Sequence, residues 1–496
     1  MNKLITTAIV GTGQIPQPDI TTGTPVDTLS QQLSGDIERK LLLTAGVLSN
    51  YQQAGQKAPE NTVSFSPAPP ERLPVFAPAS SALETIITNS QKEHFKGLLL
   101  DACRQLQAHK LILPFHLMPQ VLNPGLTHQN RIQLRYHLAA VLGERGRWLS
   151  QFYPEWSWVA TYQALHEQDP TTLHTLWQEE GQSFRHEVLR RVRAIEPDTA
   201  REWLQTSWNE EKAEARALFV SVLSDQLSEK DLPFLEKAFS DRSARVCGEI
   251  AKLLVRIPQT AFARKVYEQA PEFLTIANGT CKIHTLSDIG EPWLTPTKNQ
   301  PTNATVQLLA LVPPRIWEER TGLTPEGIIN SAEGTRTMLI EILAAATILH
   351  RDVRWSRALL DRFYREDDMD MLRMSSEVVV ELCELIPAEE AEAYMERVLT
   401  ARGFWLYVLP TLPQPWSENL SARILDTVRS QSTQNRFWRE QLDLFAAGIA
   451  PSYLAQAIET LQQAKEQVKE GYYIESALEK TIEAIQIRKN LIEELP

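Results

Sequence analysis

The sequence is poor in the residues that commit a chain to particular chemistry. Its 496 residues include four cysteines, Cys103, Cys247, Cys281 and Cys383, and none belongs to a CxxC pair. Neither a disulfide framework nor a zinc finger is signalled. Thiols scattered in this way suit a reducing compartment, so a cytoplasmic location is expected. Long apolar runs are missing as well. The longest, Met338 to Leu349, is twelve residues and contains Glu341, whereas a bilayer span takes about 20. Near the N-terminus, Leu4 to Val10 is short, is interrupted by Thr6 and Thr7, and has no small-residue cleavage site after it, so no leader is expected. Positive charge is the scarcer sign. Fifty Lys and Arg stand against 62 Asp and Glu, a net charge of −12. That weighs against a surface given over wholly to nucleic acid or anionic lipid, because phosphate neutralisation dominates such binding. A local basic stripe stays open.

Catalytic signatures are incomplete. Gly11-Thr12-Gly13 suggests a nucleotide loop, but Pro16 stands where the third glycine belongs and no Gly-Lys-Ser/Thr follows. A structured turn is expected there instead. His350-Arg351-Asp352 looks like a fragment of a kinase catalytic loop, yet Arg357 occupies the place of the magnesium-binding asparagine. Cys281 and His284 have C-x-x-H spacing without a second pair. No Ser or Cys lies in a GxSxG context and no HExxH occurs. No catalytic, cofactor-binding or metal-binding residue is assigned, and no cofactor is expected.

What the chain does have is helical periodicity and a hydrophobic fraction of 43%, ample for a core. Leu4–Val10 and Asp36–Gln53 read as helices, the second with Ile37, Leu41, Leu42, Ala45 and Leu48 in one stripe. Six prolines between Pro59 and Pro78 predict an extended linker, packed or free, since proline lacks an amide donor and obstructs a helix. Helices then dominate from Leu83 onward. Leu274–Leu286 interrupts them with two β-prone runs around Asn278-Gly279, the dipeptide of a type I′ turn, and predicts a small hairpin.

An internal repeat carries most of the architectural information. LHTLW (Leu173–Trp177), LQTSW (Leu204–Trp208) and LEKAF (Leu235–Phe239) recur every 31 residues. Partner positions keep the same step: Val188, Phe219, Ile250; Leu189, Val220, Ala251; Val192, Leu223, Leu254. Each unit reads as a helical hairpin that cannot cover its own apolar face, and stacking successive hairpins covers it. The expected fold is therefore all-α, an α-solenoid of stacked helical hairpins with a β-hairpin insertion. The segments are 1–55, a helical N-terminus; 56–80, the linker; 81–272, repeats; 273–303, the insertion; 304–450, further repeats; and 451–496, a terminal hairpin expected to cap the array.

Several stretches resemble an uncharacterised bacterial family, a domain of unknown function with HEAT-like helical repeats. They are LGERGRWLSQFYPEWSWV (Leu142–Val159), TSWNEEKAEARALF (Thr206–Phe219), FLEKAFSDRSARV (Phe234–Val246), VPPRIWEERTGLTPEGII (Val312–Ile329) and HRDVRWSRALL (His350–Leu360). TTAIVGTGQIP (Thr6–Pro16) resembles its N-terminal motif, although Gly13-Gln14 replaces the usual acidic-basic pair. The resemblance covers roughly residues 1 to 450 and implies no catalytic residue. It implies company instead: members are typically encoded beside MoxR-type AAA+ ATPases, von Willebrand A proteins and SWIM zinc-finger proteins.

Two clusters stand out as candidate binding surfaces. Trp148, Trp156 and Trp158 flank Arg145 and Arg147, residue types favoured as interface anchors, or else packed between layers. Arg185, Arg190, Arg191 and Arg193 lie together with His186. Arg190, Arg191 and Arg193 are expected to point away from Val188, Leu189 and Val192, lining an anion site or a solvated face. The leading expectation is a non-enzymatic scaffold or adaptor offering a groove to a protein partner. The alternative is a nucleic-acid binder or DNA glycosylase-like enzyme.

Overall fold

A computed structural model of the chain describes residues 2–15, 19–54, 66–123, 131–167, 170–179, 181–277, 280–285, 290–294, 304–331, 336–363, 376–397, 399, 404–430, 437–467 and 472–496. Two compact units emerge, Met1–Pro67 and Ala68–Pro496.

The first unit holds α1 (Asn2–Val10), α2 (Val26–Gln31) and α3 (Ile37–Ala54). Leu4, Val26, Leu41 and Leu48 form its small core, with Ile20 and Val47 packed against it. Gly11, at φ 91°, turns the chain out of α1 into a short 3-10 turn over Thr12–Gln14, the structured turn expected for Gly-Thr-Gly. The α2 helix was not legible in advance. The Asp27 carboxylate anchors the preceding turn, accepting the Thr22 and Gly23 amide protons at 2.6 and 2.9 Å.

In the second unit the described end of the proline-rich stretch is packed rather than free. Val75 bridges to Ile112 in parallel, Phe76 is buried, and its amide donates to the Ile112 carbonyl at 2.8 Å. Residues 55–65 of that stretch lie outside the described ones. Next come α4 (Ala82–Asn89), α5 (Leu98–Ala108), α6 (Met118–Leu122), α7 (Arg131–Leu149) and α8 (Trp158–Glu167). The α7 helix breaks at Gly143, with φ 59° and ψ −159°. Glu71 caps the restart: its carboxylate accepts the amide protons of Glu144 at 2.7 Å and Arg145 at 2.9 Å. An anion at a new helix N-terminus satisfies donors that otherwise lack partners. A Cβ at position 143 would sit 2.2 Å from Glu71 Oε2, so glycine is required by both conformation and space.

The repeat region runs through α9 (Pro170–Glu179), α10 (Gln182–Ile195), α11 (Pro197–Ser207), α12 (Ala213–Ser221), α13 (Leu232–Ala238) and α14 (Ala244–Leu254), with α9 packed on α10, α10 on α11 and α13 on α14. Leu173, Leu204 and Leu235 are buried, as are all nine partner positions from Val188 to Leu254. Each large buried side chain contributes roughly 1.5–3 kcal/mol. The second helices follow one another, α10 against α12 and α12 against α14.

Next comes α15 (Ala261–Phe273), capped by Thr260, whose Oγ1 accepts the Ala263 amide proton at 3.0 Å. Strands β1 (Leu274–Ala277) and β2 (Thr280–Ile283) pair antiparallel, Leu274 opposite Ile283 and Ala277 opposite Thr280. The Asn278-Gly279 turn itself lies outside the described residues. The four cysteines are free and buried, and no metal-ligating group of three His, Cys, Asp or Glu occurs among the described residues.

The remainder is helical: α16 (Ala304–Leu309), α17 (Arg315–Thr321), α18 (Pro325–Asn330), α19 (Arg336–His350), α20 (Val353–Phe363), α21 (Ser376–Glu384), α22 (Ala388–Arg397), α23 (Glu418–Ser430), α24 (Leu442–Gly448), α25 (Leu454–Gln467) and α26 (Tyr472–Glu493). The last two pack on each other as a hairpin. But α26 also packs on α24 and returns to α4 and α5 at the start of the unit. A buried ion pair fixes that return, Arg488 Nε to Asp101 Oδ2 at 2.8 Å. No helix among the described residues is long and apolar enough to cross a membrane.

Candidate functional site

The structure distributes the residues singled out in the sequence among quite different roles. Arg193 was expected to face outward and does not. It is fully buried, with its guanidinium paired to Asp231 (Nη2–Oδ2 2.8 Å) and donating to the carbonyls of Asp225 and Pro197 at 2.7 and 2.9 Å. The helical stripe of Val188, Leu189 and Val192 suggested a polar far side, but the start of α11 and the segment between α12 and α13 supply acceptors on that side. Arg193 is a bolt between layers, not part of a surface.

Its neighbours are neutralised. Arg190 and Arg191 both bind Glu187 at 2.9 Å. Burial pulls the Glu187 carboxyl upward, but the two guanidinium groups hold it below its ordinary value. Arg191 also lies 4.3 Å from the centre of the Tyr136 ring. His186 titrates below its usual range because burial disfavours its charge.

Arg185 belongs to a ladder that repeats with the hairpins. Its guanidinium sits 4.3 Å from the Trp177 ring centre and pairs with Glu211 in the loop between α11 and α12, Nη1 to Oε2 at 3.3 Å. One repeat on, Arg216 lies 5.8 Å from the Trp208 ring centre and pairs with Asp241 at 3.1 Å. In the third unit Cys247 takes the arginine's place, its Sγ 3.2 Å from the Phe239 carbonyl oxygen.

The tryptophan cluster does not assemble into one surface. Trp158 is buried, with Arg135 over its ring at 5.3 Å. Trp148 is half-buried and meets Phe152 edge-on at 4.7 Å. Trp156 is half-buried beside Tyr153 at 4.4 Å. Arg145 stacks on Phe115 at 4.2 Å, and Arg147 Nε donates to Gln163 Oε1 at 2.9 Å. The same Gln163 donates to the Ala139 and Gly143 carbonyls at 3.0 and 2.8 Å. This motif holds the broken α7 helix together.

A cleft of about 800 Å³ lies between the second and third hairpins. Its walls are Gln205, Trp208 and Asn209 at the end of α11, Pro233, Phe234 and Lys237 on α13, and Asp241 and Arg242 in the loop to α14. Trp208 is half-buried and meets Phe234 edge-on at 5.1 Å. Lys237 and Arg242 are exposed at the rim. Aromatic floor and cationic rim together suit an apolar anchor flanked by negative charge. The 31-residue step from Trp177 to Trp208 and from Arg185 to Arg216 was the signal available in the sequence. What it could not show is that the second interval opens into a cleft.

The sequence model of a family of unknown function, DUF5691, matches residues 3–495. The chain belongs to this family. The match takes in the terminal hairpin, which the motif resemblance over residues 1–450 did not reach. No curated protein and no solved structure matches the chain.

Proposed function

We propose that this member of the DUF5691 family is a non-enzymatic scaffold, an α-solenoid of HEAT-like hairpins whose product is surface. Its groove is the cleft between the second and third hairpins. The observation behind this reading is the half-buried Trp208, braced by Phe234 and Arg216, facing a cavity of about 800 Å³ with Lys237 and Arg242 at its edge. A protein segment carrying one large apolar residue beside acidic ones fits that chemistry. The genomic company implied by the resemblance makes an AAA+ ATPase the first partner to test, with von Willebrand A and SWIM zinc-finger proteins next.

The nucleic-acid alternative draws less support. Arg185, Arg190, Arg191 and Arg193, its suspected contacts, each hold a carboxylate, and paired arginines release few counterions. The test uses the purified full chain and a purified MoxR-type AAA+ ATPase. Binding is expected to weaken about tenfold or more in Trp208→Ala, the cost of losing an interface anchor, and to weaken in Lys237→Glu, with the melting temperature unchanged in the latter. Absence of binding, or equal binding by both variants, rejects the groove. Salt-sensitive retention on DNA by the wild type, abolished by Arg190→Gln, moves the reading to the alternative.

A further inference from the structure

A second cavity, of about 480 Å³, lies away from that groove and has different walls. Three distant stretches build it: Val255, Arg256 and Pro258 just past α14; Pro313 and Arg315 at the start of α17; and His350, Arg351, Asp352, Val353 and Arg354 between α19 and α20, with Tyr267 from α15. Two of the stretches, Val312–Ile329 and His350–Leu360, are among those that carry the family resemblance.

The charge balance of these walls is unusual for an acidic chain. Arg354 is neutralised by Glu318 at 2.7 Å. Arg256, Arg315 and Arg351 have no carboxylate within ion-pair distance among the described residues. Among the described residues Arg256 donates to the Ser224 carbonyl, at 3.1 Å. The sole acidic lining residue, Asp352, is occupied in capping α20, where its Oδ1 accepts the amide protons of Arg354 and Trp355 at 3.1 and 3.2 Å. Burial and then the Arg351 charge lower the Arg256 pKa, with Asp225 partly offsetting them from beyond ion-pair distance.

Neighbouring groups are set to receive an anion and not to compete with it. His350 donates from Nε2 to the Leu311 carbonyl at 2.8 Å, and burial, then Arg256 and Arg315, push its pKa down to about 4. Tyr267 donates its hydroxyl to the Val255 carbonyl. Arg351 itself adopts φ 55° at the residue after α19, where its amide bonds the Ile348 carbonyl at 3.2 Å and that of Asp352 the Thr347 carbonyl at 3.1 Å. Glycine is the residue that best fits this left-handed helix end. An arginine there costs about 1 kcal/mol of local strain, and projects a guanidinium at the cavity.

We propose that the cavity bounded by Arg256, Arg315 and Arg351 binds a small phosphorylated metabolite, with the three guanidinium groups holding its phosphate dianion. Guanidinium forks match phosphate oxygens in geometry and charge, and the volume falls within the range of small-molecule pockets, roughly 300–1,000 Å³. It accommodates more than the phosphate alone. This site stands whether or not the hairpin groove binds a protein.

The experiment is calorimetric titration of the full chain at constant ionic strength with inorganic phosphate, AMP and a phosphoserine peptide. Saturable phosphate binding is expected, with AMP tighter. Arg315→Gln and Arg351→Gln are each expected to weaken both by about tenfold or more, the scale of one charge-assisted contact. Arg190→Gln, at a Glu187-paired surface position, leaves them unchanged. Arg351→Gly separates binding from architecture: it is expected to melt no lower than wild type while losing affinity. No saturable phosphate binding, or full affinity in Arg315→Gln and Arg351→Gln, overturns the site. A phosphoserine peptide that binds tighter than AMP overturns the assignment to a small metabolite.

Discussion

Two buried arginines divide the second unit into regions built by different rules. Arg193 and Asp231 are 38 residues apart and join α10 to the N-terminus of α13. Arg488 and Asp101 are 387 residues apart and join the last helix to one of the first. In both the guanidinium also donates to backbone carbonyls of the interior, but Arg193 engages both Asp231 oxygens, whereas Asp101 Oδ1 and Arg488 Nη2 have no hydrogen-bond partner among the described residues. Within the repeat, Arg185, Arg193 and Arg216 each pair with a carboxylate a short step of 25 to 38 residues further along the chain. At the closing contact no such step exists. The comparison separates a stability assembled layer by layer from one that depends on both ends of the unit meeting.

Burying a carboxylate in each region is the most severe way to test that separation. Leu223→Glu places an unpaired charge in the repeat and Ile485→Glu places one at the closing contact, both at positions with no exposure. Each is expected to cost about 4 kcal/mol or more. Denaturant unfolding with hydrogen exchange gives the readout. If closure is integral, both variants lower one shared transition. If Ile485→Glu loosens only residues 82–108 and 437–493 while 170–254 stays protected, the regions are separable. An unchanged Leu223→Glu melt contradicts the stacked-hairpin reading.

Breaking each ion pair comes next in size. Arg488→Ala leaves the buried Asp101 carboxylate without its partner, a loss of about 3–5 kcal/mol, and Arg193→Ala is expected to cost less because Arg201 still pairs with Asp231 at 3.2 Å. A double replacement, Arg193→Met with Asp231→Leu, is expected to recover much of that loss because it removes the desolvated charges together. Chemical denaturation of the single and double variants measures the difference. A double variant as unstable as Arg193→Ala alone means that packing, not charge, is what Arg193 supplies.

Acidification gives the smallest effect and separates two positions rather than two pairs. His350 is pushed down to about 4 by burial, then by Arg256 and Arg315. His137 is pushed down to about 4 by burial, then by Arg104. Both pKa values lie below the unfolded value, so the unfolded chain binds more protons between about 6.5 and 4. Stability is therefore fully present above pH 6.5 and declines as pH falls toward 4. Replacing either histidine with Asn is expected to flatten part of that decline in a series of melts. If the melting temperature is constant over this interval in the wild type, neither ring is held neutral by the fold.

Much of the architecture was legible from spacing. Leu173, Leu204, Leu235 and the nine partner positions proved buried at each 31-residue step, and the Asn-Gly dipeptide marked a real pair of strands. Periodicity reports which residues seek the interior, and it does so locally. The same signal misled at Arg193, because a polar residue off the apolar stripe reads as solvated until a neighbouring layer supplies acceptors. The tryptophan and arginine cluster around residue 148 was visible, but its work is to brace a helix broken at Gly143 and capped by Glu71, a partner 72 residues upstream of Gly143. Nothing in the motif names that partner.

The sequence by itself determined that this chain is helical, that the apolar positions of its central helices share one step, and that its cysteines form no framework. These are properties of composition and local period, which each segment carries alone. Only the tertiary structure decided which charges are spent and which stay available. Arg190, Arg191 and Arg193 lost theirs to nearby carboxylates, whereas Arg256, Arg315 and Arg351, unremarkable and far apart along the chain, converge on one cavity. The physical reason is that a charge acts through distance in space, over a few ångströms, and separation along the chain does not set that distance.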